Sequence, residues 1–318
     1  MKKYDVTALG ELLIDFTENG VSGQGNPLFE ANPGGAPCNV LAMLTKLGHK
    51  TAFIGKVGDD FFGKQLKEAI EEVGIDSTGL CMDKEIHTTL AMVHTYPDGD
   101  RDFSFYRNPG ADMMLKESEV KEELIKESKL FHFGTLSMTH EDVRKATKKA
   151  IQIAEEAGNI ISFDPNLREP LWNSLDEAKE QILYGLSHCH ILKISDNEIQ
   201  WLTGQEDYTD GVNWILERYQ IPLILVSMGK EGSRAYYGGK MVEVKPFIQK
   251  NTIETTGAGD TFCGCVLHYI CEHGLEKLTE ENLFEMLQFA NAAASIITTR
   301  KGALRVMPEE KEIAGLLG

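Results

Sequence analysis

Ile253-Glu254-Thr255-Thr256-Gly257-Ala258-Gly259-Asp260-Thr261-Phe262 places two glycines and a carboxylate where a helix begins. The apolar positions that follow, Phe262, Val266, Leu267 and Ile270, recur at helical spacing. Gly257 to Gly259 therefore present backbone N–H groups with no partner inside the helix, at the positive end of its dipole. Such a helix start binds anions. An aspartate there is kept ionised by the same dipole, and it occupies a place that a phosphate also favours. The two share the site only if the acid acts on a group that attacks the phosphate. By itself a G-x-G-D segment reads as a tight turn with Asp260 as a helix cap, so the rest of the chain has to decide.

On the N-terminal side of this segment, brief apolar runs alternate with amphipathic helices. Val6 to Leu9, Thr51 to Ile54, Leu130 to Phe133, Ile160 to Phe163, Ile191 to Ile194 and Leu223 to Val226 are short and apolar, as strands covered on both faces should be. Thr139 is placed to cap a helix with Glu141 and Asp142 in its first turn and Gly158 as its stop. Pro37 opens another helix that Gly48 ends. This alternation predicts an α/β fold with a mostly parallel central sheet and helices on both faces. Two segments break the rhythm, roughly 12–32 and 87–107. In the second, Thr88 to Val93 and Asp102 to Tyr106 flank Pro97-Asp98-Gly99-Asp100, a hairpin signal foreign to a parallel sheet. A small β lid beside the main sheet accounts for both segments. No repeat, low-complexity tract or linker interrupts the chain, so one domain over residues 1–318 is expected.

With 318 residues and 42% apolar content, the chain can build a sizeable core. A formal net charge of −17 argues against nucleic acid as a partner, because phosphate backbones demand clustered Lys and Arg. It leaves room for a local nucleotide site made of backbone amides. Cys38, Cys81, Cys189, Cys263, Cys265 and Cys271 form no C-x-x-C pair, so reduced, mostly buried thiols are expected rather than disulfides or zinc. The opening Met1-Lys2-Lys3-Tyr4-Asp5 leads into an apolar run broken by Glu11 and Asp15, unlike a signal-peptide core, and no stretch approaches a membrane span. A cytoplasmic protein with no membrane partner is expected.

Gly58-Asp59-Asp60-Phe61-Phe62-Gly63-Lys64-Gln65 imitates a phosphate-binding P-loop, but Gln65 replaces the Ser or Thr that holds magnesium, and two aspartates would repel the phosphates. The dinucleotide fingerprint G-x-G-x-x-G is absent, which weakens a NAD-dependent oxidoreductase reading. A second glycine cluster, Asn32-Pro33-Gly34-Gly35-Ala36-Pro37-Cys38-Asn39-Val40, precedes a helix. Gly34 and Gly35 allow backbone to approach a ligand, and Asn39 offers both donor and acceptor, which suits a polyhydroxylated ligand. A plain turn before a Pro-started helix explains the same residues. Asp15, between Ile14 and Phe16, is either a ligand group at a strand end or an edge charge.

Taken together these motifs resemble the ribokinase-like (PfkB) sugar kinases, from Gly10-Glu11-Leu12-Leu13-Ile14-Asp15-Phe16 to Thr299-Arg300-Lys301-Gly302-Ala303. Both family signatures are present, Gly34 through Gly63 and Thr255 through Asp260. Gly34-Gly35-Ala36-Pro37-x-Asn39-Val40, Phe105-Tyr106-Arg107-Asn108-Pro109-Gly110-Ala111-Asp112 and Asp164-Pro165-Asn166-Leu167-Arg168 are similar to the fructokinase branch. The resemblance implies a ribokinase-like fold and transfer of the γ-phosphate of ATP to a primary sugar hydroxyl. D-fructose giving D-fructose 6-phosphate is the expected reaction, with 2-keto-3-deoxygluconate kinase and ribokinase as the nearest alternatives. A catalytically silent sugar-binding regulator is a more distant one.

The resemblance assigns Asp260 as catalytic base, and Gly257, Ala258 and Gly259 as the anion hole. It assigns Asp15, Gly34, Gly35, Asn39, Arg107 and Arg168 to the sugar, and Lys193, Ser227, Gly229, Gly232 and Asn291 to ATP. Glu198 is matched to the acid that organises Mg2+ through water; Ser195 stands where ribokinases carry an Asn. Glu254 stands where the signature usually begins with Asp, at a K+ site that the resemblance builds with Thr256, Ile297, Arg300 and Gly302. A homodimer formed through the lid is also expected.

Overall fold

All six apolar runs become strands of one nine-stranded sheet in the computed structural model, which describes residues 2–95 and 101–318. The strands are β1 (Tyr4–Leu9), β2 (Leu13–Val21), β3 (Pro27–Gly34), β4 (Thr51–Gly58), β5 (Asp76–Asp83), β6 (Leu90–Thr95), β7 (Arg101–Tyr106), β8 (Ser128–Gly134), β9 (Ile160–Asp164), β10 (Ile191–Ser195), β11 (Leu223–Ser227), β12 (Ser233–Tyr237) and β13 (Lys240–Val244). The helices are α1 (Ala36–Lys46), α2 (Phe61–Glu72), α3 (Glu122–Lys126), α4 (Glu141–Glu156), α5 (Leu175–Leu186), α6 (Asp196–Thr203), α7 (Tyr208–Leu216), α8 (Ala258–His273), α9 (Glu280–Ile297) and α10 (Glu310–Leu317).

The large sheet runs β13-β12-β11-β10-β9-β8-β1-β4-β5, parallel except at β11–β12 and β12–β13. Alternation along each strand feeds two cores. Leu223 and Leu225 of β11 join one built with α1, α2, α8 and α9, while Ile224 and Val226 join another built with α4 to α7. Helices therefore cover both faces. Phe131, Phe133 and Phe163 are fully buried in the second core, each worth roughly 1.5–3 kcal/mol by its burial. On the α8 side the same alternation places the buried His132, Asp164 and Lys193, so polar groups line up near the carboxyl ends of β8, β9 and β10. That is where ligands bind in open α/β sheets.

The second sheet runs β3-β2-β6-β7 and matches the two irregular segments. The hairpin β6–β7 is attached by a parallel pairing of Ile14 with Leu90, so this small sheet is itself mixed. Its turn, Pro97 to Asp100, lies outside the described residues. The P-loop look-alike is a capped helix start instead. Asp60 accepts from Gly63 N at 2.8 Å and from Thr88 N at 2.8 Å, fixing the entry of β6 against α2. The cap of α4 is His140 rather than Thr139: His140 accepts from Asp142 N, and the Thr139 hydroxyl serves Arg107 and Leu136 instead. Pro37 does open α1, and Gly48 follows its C-cap at φ 88°. The six cysteines are free thiols. Among the described residues no helix is long and apolar enough to cross a membrane.

Candidate active site

The opening segment becomes the start of α8. Gly257 adopts φ 74°, and a Cβ there would lie 2.6 Å from that of Ala303, so only glycine fits. Ala258 N finds Thr255 O at 3.2 Å and Thr261 N finds Gly257 O at 2.8 Å, which sets the N–H groups of Gly259 and Asp260 in the first turn. Asp260 stands in the first turn, half-buried. Its Oδ2 accepts from Asn39 Nδ2 at 2.8 Å, which joins the start of α8 to that of α1. Withdrawal from water raises the Asp260 carboxyl above its ordinary range, against the Asn39 N–H and the charges of Lys193 and Arg168, which lower it.

Two cavities meet at this helix start, sharing Thr255 and Gly259. The first, about 450 Å³, is walled by Glu11, Asp15, Asn39, Arg168, Lys193 and Asp260. Gly35 lines it as well; Gly34 makes room for Asp15, because a Cβ on Gly34 would lie 2.2 Å from Asp15 Oδ2. Leu13 and Asp15 from β2 and Phe105 from β7 bring the small sheet into the same wall. Asn39 Oδ1 is buried without a partner among the described residues, an acceptor suited to a ligand hydroxyl. The second cavity, about 630 Å³, is mostly apolar: Phe247, Ile248 and Ala294 line it beside Ser227, Gly229 and Gly232. Asn291 closes it, held by Ser233 Oγ at 2.9 Å and Val244 O at 3.1 Å.

Lys193 lies on the border, near both. Its ammonium pairs with Asp164 Oδ2 at 2.9 Å, and a Cβ on Gly259 would be 3.2 Å from Nζ. Burial raises Asp164 to about 6, with Lys193 pulling the other way. Burial by itself would lower Lys193, but Asp164 and Glu198 outweigh it and keep the ammonium charged. Glu198 accepts from Leu167 N at 2.7 Å and, through its other oxygen, from Ser195 N at 2.8 Å. With Ser195 it forms the capping box of α6, on a cavity of about 300 Å³ that Arg168 and Lys193 also line.

Arg107 is placed differently from the expectation. It is buried behind the first cavity, with Nη2 2.6 Å from Asp112 Oδ2, Nη1 on Thr139 Oγ1 at 2.9 Å and Nη2 on Leu136 O at 3.0 Å. Its donors are engaged by protein, and it holds Leu136, which does line the cavity. Around the expected K+ site, Glu254 Oε1 accepts from Gly302 N at 2.9 Å and the Ile297 carbonyl accepts from Arg300 N at 3.0 Å. Thr256 lines the first cavity.

Glu11 joins the site beyond the residues expected from the sequence. It is 4% exposed, lines the first cavity and accepts from Ala36 N at 2.8 Å; burial raises its carboxyl to about 7. An acid interrupting an apolar strand exit was the available signal, the same one that singled out Asp15. Asp164 is the second omission, visible only once its pairing with Lys193 is known.

A polar cleft and an apolar cleft, joined at a helix start that carries a carboxylate, define a phosphotransferase. Residues 3–310 match the pfkB family carbohydrate kinase. The chain belongs to this family. It is 42% identical over 314 residues to probable fructokinase-2 of Arabidopsis thaliana, covering 98% of this chain and 95% of the relative. Among solved structures, fructokinase with bound ATP from Xylella fastidiosa superposes with a TM-score of 0.90 at 28% identity, covering 100% of this chain and 98% of that one. A fructokinase double mutant from Vibrio cholerae O395, in a form with fructose, ADP and potassium ion bound, superposes with a TM-score of 0.87 at 27% identity, covering 100% of each chain.

Proposed function

We propose that this chain transfers the γ-phosphate of ATP to a primary hydroxyl of D-fructose, giving D-fructose 6-phosphate. One observation carries the reading: Asp260 and the first N–H groups of α8 stand where a polar cavity meets an apolar one. The polar cavity suits a sugar, with Asp15, Asn39 and Arg168 as hydrogen-bonding groups. The apolar cavity suits an adenine ring and ribose. Asp260 takes the proton of the attacking hydroxyl; its raised affinity for protons makes it a better base than an exposed aspartate. The N–H groups of Gly259 and Asp260 meet charge on the transferred group, and Lys193 adds a fixed positive charge beside Gly259.

Both oxygens of Glu198 already accept from protein donors, which fits a Mg2+ held through its waters better than direct ligation. When bound, that ion neutralises phosphate charge. Glu254, engaged with Gly302 N, is the anchor for a K+ loop. Val21, Leu28 and Phe29 are exposed on β2 and β3, an apolar surface that supports a homodimer through the small sheet, which also serves as a lid over the sugar.

The test is a coupled ADP-release assay over fructose, ribose, 2-keto-3-deoxygluconate and nucleosides. Fructose should give the highest kcat/KM. A higher value for another acceptor keeps the family and removes fructose; no ADP release with any acceptor leaves a sugar-binding regulator.

A further inference from the structure

At the far end of α8 from Asp260, three potential metal ligands converge that the kinase reading does not use. His49 follows α1 and is 7% exposed; His268 and Glu272 are one turn apart on α8. Their ligand atoms lie within 4.8 Å of one another. His49 Nε2 is 2.7 Å from His268 Nδ1 and 4.0 Å from Glu272 Oε1.

At that distance the two neutral rings share one N–H···N hydrogen bond, and displacing its single proton frees both nitrogens to ligate a metal ion. Asp5 Oδ2 faces the other nitrogen of His49 at 3.5 Å and is itself fixed by Lys50 N and Lys129. A carboxylate there favours the tautomer with the proton on Nδ1, which turns the Nε2 lone pair toward His268. This is the outer-shell arrangement that orients metal-binding histidines.

We propose that His49, His268 and Glu272 form a divalent transition-metal site, with zinc as the best fit and water as fourth ligand. Zinc ligands at bonding distance are separated by about 3.3 Å, so the nitrogens need part only slightly and the exposed Glu272 swing in. Two imidazoles with one carboxylate favour zinc over magnesium or calcium. The ion ties the α1–β4 connection to α8. His268 is eight residues beyond Asp260, about 12 Å along the helix, so the ion braces the helix without touching the reacting atoms. Protons compete with it, and the other charged groups facing the pair are Asp5 from β1, His273 from α8 and Glu310 from α10.

Zinc binding is measured on the full chain without nucleotide, by competition with a chromogenic chelator and by melting temperature, together with the Co2+ absorption spectrum. Wild type should bind one zinc tightly at micromolar concentration and melt higher with it. His268→Ala should lose this zinc, Glu272→Gln should bind it at least about tenfold more weakly, and Asp5→Asn about tenfold or more. Metal-free Glu272→Gln should keep wild-type turnover, which shows that the variant is folded. Equal zinc affinity in wild type, His268→Ala and Glu272→Gln overturns the site. So does a thiolate charge-transfer band with Co2+, which would move the metal to a cysteine, or a wild type that binds no zinc.

Discussion

Asp260 and Glu11 are both carboxyls whose proton affinity the protein raises, and they are set apart by their partners. Asp260 touches the Asn39 amide at the head of an anion-binding helix, whereas Glu11 is enclosed with the Ala36 N–H. Asp260→Asn should keep the fold and the affinity for both substrates while lowering turnover by about 10²–10⁴, the usual range for a general base. A variant with more than about a tenth of wild-type turnover would remove Asp260 from that role. For Glu11 the sign runs through stability. Its ordinary value is 4.5 and its folded value about 7, so between those values the native state holds a proton that the unfolded chain has lost. Stability therefore falls as pH rises through this window, by up to on the order of 3 kcal/mol. Glu11→Gln keeps an acceptor for Ala36 N and removes the ionisation. Urea unfolding at pH 5 and pH 8 should show the variant gaining on wild type toward pH 8; a constant gap means Glu11 does not retain its proton. Asp260 was legible in sequence because its neighbours are glycines. Glu11 carries only the weaker signal of an acid breaking an apolar run, because its burial and the Ala36 contact come from packing of β1, β2 and α1.

Elements whose ends carry their own capping residues are legible in the sequence, and those defined by tertiary partners are not. Pro37 and Gly48 bracket α1 as expected, and each of the six apolar runs falls inside a strand of the large sheet, although β4 extends four residues past its run and β1 and β8 each begin two residues before theirs. The start of α4 moved by one residue because Thr139 is engaged by Arg107, a contact fixed by tertiary structure. Strand β5, with Asp76, Ser77 and Thr78, lacks an apolar run because it is the sheet's edge. At α8 the element depends on one conformation: Gly257→Ala meets both a positive φ and the Ala303 methyl. It should cost about 1–3 kcal/mol of stability, read as a lower melting temperature, and reduce turnover by displacing the N–H groups of Gly259 and Asp260. Unchanged turnover would separate the helix start from catalysis. The small sheet offers another element-scale test. If β2, β6 and β7 close over the sugar, fructose should slow amide exchange in residues 88–95 and 101–107, and sedimentation should give a dimer. Unaltered exchange in a strictly monomeric protein would leave this sheet without either role.

Across the whole molecule, two cavities of different chemistry flank one helix start, and this division predicts that sugar and nucleotide affinities can be altered separately. Asp15 reaches the polar cavity from the small sheet, while Ser227, Gly229 and Asn291 line the apolar one from the large sheet and α9. Hydrogen bonds that Asp15 accepts from buried hydroxyls contribute about 0.5–1.5 kcal/mol each, and more where a charged group is involved. Asp15→Ala should therefore weaken apparent sugar affinity about tenfold or more, on the order of 1.4 kcal/mol. ATP should raise the melting temperature of the variant as much as that of wild type, since no nucleotide contact is lost. Both quantities come from one preparation, by initial rates at varied sugar and by thermal shift with ATP alone. Equal damage to the two would mean that Asp15 holds the cleft as a unit, with the small sheet positioning the nucleotide as well as the sugar. A loss confined to the sugar would place specificity in the small sheet's wall, where Leu13, Asp15 and Phe105 face the ligand, and leave the anion-binding start of α8 common to every acceptor.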